Sequence, residues 1–122
     1  MPSWSQADVT LEQVSIRKLS GLSNACYRVE LRESEGVEPR VLLYRKFECE
    51  IVDKQIEATV FKAMSDSGLG PKLVFQNSEY RIESFFDGRP LTIWELRNPV
   101  IMDRYVQAIF DMHTKSGVAE AV

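Results

Sequence analysis

The sequence predicts an α+β fold: an antiparallel five-stranded sheet, one helix packed on it and a further helix towards the C-terminus. Three observations predict it. Apolar and polar residues alternate from Val14 to Leu19 and from Cys26 to Leu31, the two-residue period of strands, and Val41 to Phe47 is a compact apolar and aromatic run. The period then lengthens to four over Val52, Ile56, Val60 and Met64, with Phe61 beside them, which is helical spacing. Short loops join the strand-like stretches, as antiparallel neighbours require.

The first ten residues read as a tail or a short helix. Val14, Ile16 and Leu19 then alternate with Ser15, Arg17 and Lys18 as a first strand. Ser20-Gly21-Leu22-Ser23-Asn24 is a cluster of turn-forming residues. Cys26 to Leu31 is a second strand. Arg32 to Pro39 is charged, holds Gly36 and ends in proline, so it reads as a hairpin loop. Val41 to Phe47 is the most strand-like stretch of the chain. In the helix that follows, Asp53 and Glu57 load the early turns, where the helix dipole favours anions. Ser67-Gly68 ends it and Pro71 follows. Lys72 to Phe75 and Tyr80 to Phe86 are short strands around a turn at Asn77-Ser78, and Asp87-Gly88-Arg89-Pro90 is a strong break. Thr92, with Glu95 three residues on, forms a capping box for a short helix. Pro99 suits the first turn of a last helix carrying Ile101, Tyr105, Ile109, Phe110 and Met112.

The composition bounds the function. A chain of 122 residues suits one domain with a modest core. A formal net charge of −3 gives no reason to expect a nucleic-acid-binding surface. No apolar run approaches the roughly 20 residues needed to span a bilayer, and the N-terminus lacks a basic start followed by an apolar stretch. Cys26 and Cys49 fall outside any CxxC spacing, and a single histidine, His113, builds no zinc cluster. Two reduced thiols in a cytoplasmic protein are the plain expectation.

A nucleotide-triphosphate site needs a strand-turn-strand whose backbone can approach phosphate. It also needs a cation on a neighbouring strand fixed by a carboxylate, and a backbone edge for adenine. Gly21, Ser23 and Asn24 are candidates for the turn, although they equally suit a plain hairpin. Arg45 is a candidate cation whose guanidinium can bind phosphate oxygens in a fork, with Lys46 the fallback on the opposite face. A solvated pair of edge charges is the bland alternative. Glu57 could hold Arg45, with Asp53 one turn earlier a competitor and a surface helix position the bland reading. Backbone near Glu83, Ser84 and Phe86 could read the adenine edge, while Phe85 and Phe86 are most simply core. His113 reads as packing or capping near the end of the last helix.

Taken together, these stretches resemble the choline/ethanolamine kinase family, within the wider aminoglycoside-phosphotransferase-like group. The words that carry the resemblance are Gly21-Leu-Ser-Asn24, Leu42-Leu-Tyr-Arg-Lys-Phe47, Ile56-Glu57, Ser67-Gly-Leu-Gly-Pro-Lys-Leu73, Arg81-Ile-Glu-Ser-Phe85, Gly88-Arg-Pro-Leu-Thr92 and Glu95-Leu-Arg-Asn-Pro99. The β-β-β-α-β-β-α order is also that of a protein-kinase-like N-terminal lobe. The resemblance implies that residues 1–122 are an N-terminal ATP-binding lobe. Gly21, Ser23 and Asn24 would cover the phosphates, and Arg45 would contact them with Glu57 as its helix partner. Glu83, Ser84 and Phe86 would supply the hinge. It implies ATP and Mg2+ as cofactors, with the catalytic base and metal ligands in a C-terminal lobe that this chain does not contain. The substrate would be choline or ethanolamine, the first step of phosphatidylcholine or phosphatidylethanolamine synthesis. A homodimer through such lobes is compatible with it, and the chain alone is expected to be inactive. The family's loop carries two adjacent glycines, and here Ser20 replaces the first. Two alternatives stand beside this reading: another small-molecule phosphotransferase of the same group, acting on an aminoglycoside or a sugar, and a non-enzymatic α+β interaction domain.

Overall fold

Alternation of side chains across a pleated strand sorts this sheet into two unlike faces. The computed structural model describes Trp4 and residues 8–21, 24–33 and 36–122. After a 3₁₀ turn at Leu11–Gln13 come β1 (Val14–Leu19), β2 (Asn24–Leu31) and β3 (Val41–Phe47). Helix α1 (Lys54–Asp66) precedes β4 (Leu73–Gln76) and β5 (Tyr80–Ser84). The chain continues through α2 (Ile93–Leu96), α3 (Pro99–Lys115) and α4 (Val118–Ala121). The five strands form one antiparallel sheet in the order β1-β2-β3-β5-β4, so β5 lies beside β3 and β4 takes the edge. The α+β class and the sheet therefore match the expectation.

One face is apolar. Val14 and Leu31 stand opposite each other, as do Ile16 and Val29, Val29 and Leu42, and Tyr44 and Ile82. Tyr27, Tyr44, Tyr80 and Phe75 form an aromatic ladder across four strands, with ring centroids 6.0, 5.2 and 5.7 Å apart in succession. Such tilted pairs add to plain burial. The buried apolar side chains, Val14, Ala25, Cys26, Leu31 and Leu42, all belong to these strands. The opposite face is charged. In β1, β2, β3 and β5 it presents Arg17, Arg28, Arg45 and Arg81 against Glu30 and Glu83, so it is positive in a chain whose net charge is negative.

The chain divides into two compact units: residues 1–54 with 72–85, and residues 55–71 with 86–122. The first holds the sheet. In the second, α1 stops where Gly68 takes a φ of +73°, a left-handed conformation that glycine adopts without a Cβ penalty. The N–H groups of Leu69 and Gly70 then both donate to the Met64 carbonyl, at 3.1 and 3.2 Å. Helix α1 begins at Lys54 rather than at Val52, because Asp53 favours the position before a helix over its interior. Asn98 Oδ1 accepts from the Val100 N–H at 3.0 Å and caps α3, with Pro99 in its first turn. Thr92 and Glu95 form the expected reciprocal box at α2. The turn α4, Val118–Ala121, had no counterpart in the sequence reading; Gly117, at φ +72°, separates it from α3.

Candidate functional site

The connection between β1 and β2 holds a glycine that the backbone requires. A Cβ on Gly21 would lie 2.6 Å from the Asn24 carbonyl oxygen, inside any real contact. Asn24 braces the same turn from the other side. Its Oδ1 accepts a 3.2 Å hydrogen bond from the Glu48 N–H, which ties the turn to the chain leaving β3. Ser23 lies outside the described residues.

Arg45 stands close to this turn. It pairs in register with Cys26, and Cys26 with Leu19, the last residue of β1. The Arg45 side chain is 27% exposed, and the carboxylate it meets within the sheet is Glu83. Its Nη2 donates to Glu83 Oε1 at 2.9 Å, and its Nε makes a longer 3.4 Å contact to Oε2. Arg81 Nε donates to the same Oε2 at 2.8 Å. Glu83 and Arg81 are only 2% and 3% exposed, and the Arg81 guanidinium lies 5.4 Å from the centroid of the Phe47 ring. The register explains the cluster. Arg45 and Arg81 are direct cross-strand partners on one face, and like charges so placed repel. Glu83, two residues further along β5, is on that face and reaches both. Two guanidiniums on one carboxylate satisfy its oxygens.

Further along the same face, the Arg28 guanidinium pairs with Glu30, and Arg40 Nε approaches Glu30 at 3.5 Å. The hydrogen bond from Arg28, aided by the charges of Arg28, Arg40 and Arg17, holds the Glu30 carboxyl below the usual carboxylate range against the opposing effect of burial. Arg28 also lies 5.3 Å from the Phe85 ring centroid. Lys46 is exposed and points to the opposite, apolar face, by alternation from Arg45.

The other sequence-derived candidates fall as follows. Ser84 ends β5. Its N–H donates to the Lys72 carbonyl at 2.9 Å and its Oγ accepts from the Lys72 N–H at 2.8 Å. Phe86 is 66% exposed and is the first residue past the boundary between the two units, where the sequence places a strand running into a linker. Glu57 is a half-buried carboxylate in the first turn of α1, in the second unit. His113 is exposed in the last turn of α3. Sequence reasoning missed Arg81. The available signal was the Arg81-x-Glu83 spacing, which puts opposite charges on one face of a strand flanked by aromatic residues. Among the described residues, no group of three or more His, Cys, Asp or Glu side chains could hold a metal. No helix is long and apolar enough to cross a membrane among the described residues.

A family model described as choline/ethanolamine kinase matches residues 16–116. The chain is 36% identical over 97 residues to proteins named choline/ethanolamine kinase from Rattus norvegicus and Mus musculus, covering 74% of this chain and 25% of each relative. It is 27% identical over 116 residues to a choline kinase of Schizosaccharomyces pombe. It thus spans about a quarter of the length of these curated relatives. Among solved structures, a choline kinase from Cryptosporidium parvum Iowa II superposes with a TM-score of 0.73 at 22% identity, covering 90% of this chain and 32% of that one. An ethanolamine kinase from Plasmodium vivax gives the same TM-score at 18% identity, covering 88% and 30%. At those identities the superpositions establish the fold.

Proposed function

The chain belongs to the choline/ethanolamine kinase family, and from that premise we propose that it is the ATP-binding lobe of an enzyme that transfers the γ-phosphoryl group of ATP to the hydroxyl of choline or ethanolamine. The observation that carries this reading is Arg45: a partly exposed guanidinium beside the Gly21 turn, held by a buried carboxylate on a positive sheet face. Phosphoryl transfer is catalysed mainly by positioning and by stabilising charge on the phosphate oxygens. A guanidinium held in place meets the phosphates without first having to be ordered. In this reading the Gly21-to-Asn24 turn, with Ser23, lies over the phosphates, and the chain from Glu83 through Ser84 to Phe86 meets the adenine. Because the Ser84 N–H and hydroxyl are both bonded to the Lys72 backbone, that N–H is not the group that reads adenine. Magnesium would arrive with the nucleotide. The product, a phosphorylated amino alcohol, is the first intermediate of choline or ethanolamine phospholipid synthesis.

The test is a titration of the full chain with MgATP, followed by amide chemical shifts. We expect shifts at Gly21, Asn24 and Arg45 that saturate, and their loss in Arg45→Ala with the fold retained. An unresponsive wild-type chain, or an Arg45→Ala variant that responds as the wild type does, overturns the reading.

A further inference from the structure

The apolar face of the sheet is not sealed. Between it and the segment leading into β1 lies a cavity of about 620 Å³. Sites for small molecules span roughly 300–1,000 Å³. Ile16, Val29, Leu42 and Ile82 form its floor. Trp4 and Leu11 line it from the N-terminal segment, and Trp4 Nε1 donates to the Pro39 carbonyl at 2.5 Å, which ties the indole to the chain entering β3. Tyr27 and Tyr44, opposite each other in register, form the last row of the lining. At that end the face changes character. Lys18 is the direct strand partner of Tyr27, Lys46 lies two residues beyond Tyr44, and both are exposed. Among the described residues, the paired positions of this face in β1, β2, β3 and β5 carry these two lysines and no carboxylate.

We propose that this cavity is a binding site for an anionic single-chain amphiphile: its hydrocarbon chain lies between the N-terminal segment and the sheet, and its head group meets Lys18 and Lys46. An apolar lining gains by taking a hydrocarbon chain out of water and penalises a polar body that it cannot hydrogen-bond. The two lysines at one end select the sign of the head group, and their stems extend the apolar surface towards it. A folded protein partner needs a far broader contact than one cavity of this size. The site lies on the face opposite Arg45, so it stands or falls independently of the nucleotide reading.

The experiment titrates the full chain with dodecanoate, with dodecyltrimethylammonium and with vesicles of dioleoylphosphatidylglycerol, the first two below their micelle concentrations, and follows amide chemical shifts. Dodecanoate should bind saturably and shift Ile16, Val29, Leu42 and Tyr44, with affinity rising by up to about fourfold per methylene from octanoate to dodecanoate. It should bind about tenfold more tightly than dodecyltrimethylammonium, and that preference should vanish in the double variant Lys18→Gln, Lys46→Gln. Ile16→Glu, at a position 56% exposed, should fold and lose dodecanoate binding. A double variant that keeps the preference, an affinity indifferent to chain length, or shifts confined to the exposed apolar residues of α3 would overturn the proposal. So would a response to the vesicles with none to monomeric dodecanoate, which would make this face a membrane-contact surface instead. If Ile16→Glu does not fold, the double variant, at two exposed positions, decides alone.

Discussion

The two units of this chain are built by opposite means. The sheet unit contains every buried apolar side chain among the described residues, and it also buries a charge cluster. The helical unit buries no apolar side chain; α1 and α3 have none, and Val100, Tyr105, Val106 and Phe110 of α3 are 48–64% exposed. The ion pairs follow the same division. Arg81 and Glu83 are 3% and 2% exposed in the sheet, whereas Arg89, ahead of α2, and Glu95, within it, are 68% and 29% exposed. A pair removed from water is costly to break, and a solvated one contributes little. The stability of the chain should therefore be governed by a few sheet residues, while the helices depend on local caps.

Breaking the charge cluster should have the largest effect. Glu83→Ala leaves two guanidiniums facing each other without their carboxylate and should cost about 3–5 kcal/mol, measured by chemical denaturation. A loss under about 1 kcal/mol would mean that the cluster is solvated. Next comes the apolar face. Leu31, at 2% exposure, should lose about 2–5 kcal/mol on replacement by alanine, whereas Phe110→Ala in α3 should stay within about 0.5 kcal/mol. Equal losses would erase the contrast between the units. Asn98→Ala removes the α3 cap and should cost about 1 kcal/mol, seen as faster hydrogen exchange at the Val100 amide.

The smallest effect lies at the exposed pair. The Arg89 hydrogen bond, followed by the Thr92 backbone N–H, lowers the Glu95 carboxyl from an ordinary 4.5 to about 2. A lowered carboxylate contributes fully above its unfolded value and loses that contribution as pH falls through its folded one. The Arg89–Glu95 contacts should therefore persist at neutral pH and dissolve between pH 4.5 and about 2. In Arg89→Ala the Glu95 titration, followed by carboxyl carbon shifts, should move up towards the ordinary range. A Glu95 that titrates unchanged in that variant would assign the shift to the Thr92 box alone.

Local chemistry was legible without coordinates. The strands from Val14, Val41 and Tyr80, the cap at Thr92, the stop at Gly68 and the proline start of α3 all follow from periodicity and from what backbone termini require. The Gly21 turn and the placing of Arg45 and Lys46 on opposite faces of one strand were likewise legible in the sequence. What was not legible is pairing over distance. The sequence put the core of this stretch at Phe85 and Phe86, yet Phe86 is 66% exposed and Arg81 and Glu83 are the most buried members of β5. Their burial depends on a cation 36 residues earlier, Arg45, standing opposite Arg81.

The sequence by itself determined the five strands, the helices α1 to α3 and the family, because these depend on contacts between near neighbours and on residue order. Only the tertiary structure decided that β5 inserts beside β3, and with it the shared carboxylate and the sign of the sheet face. Strand order brings together charges that the chain keeps far apart, and no local preference records that choice.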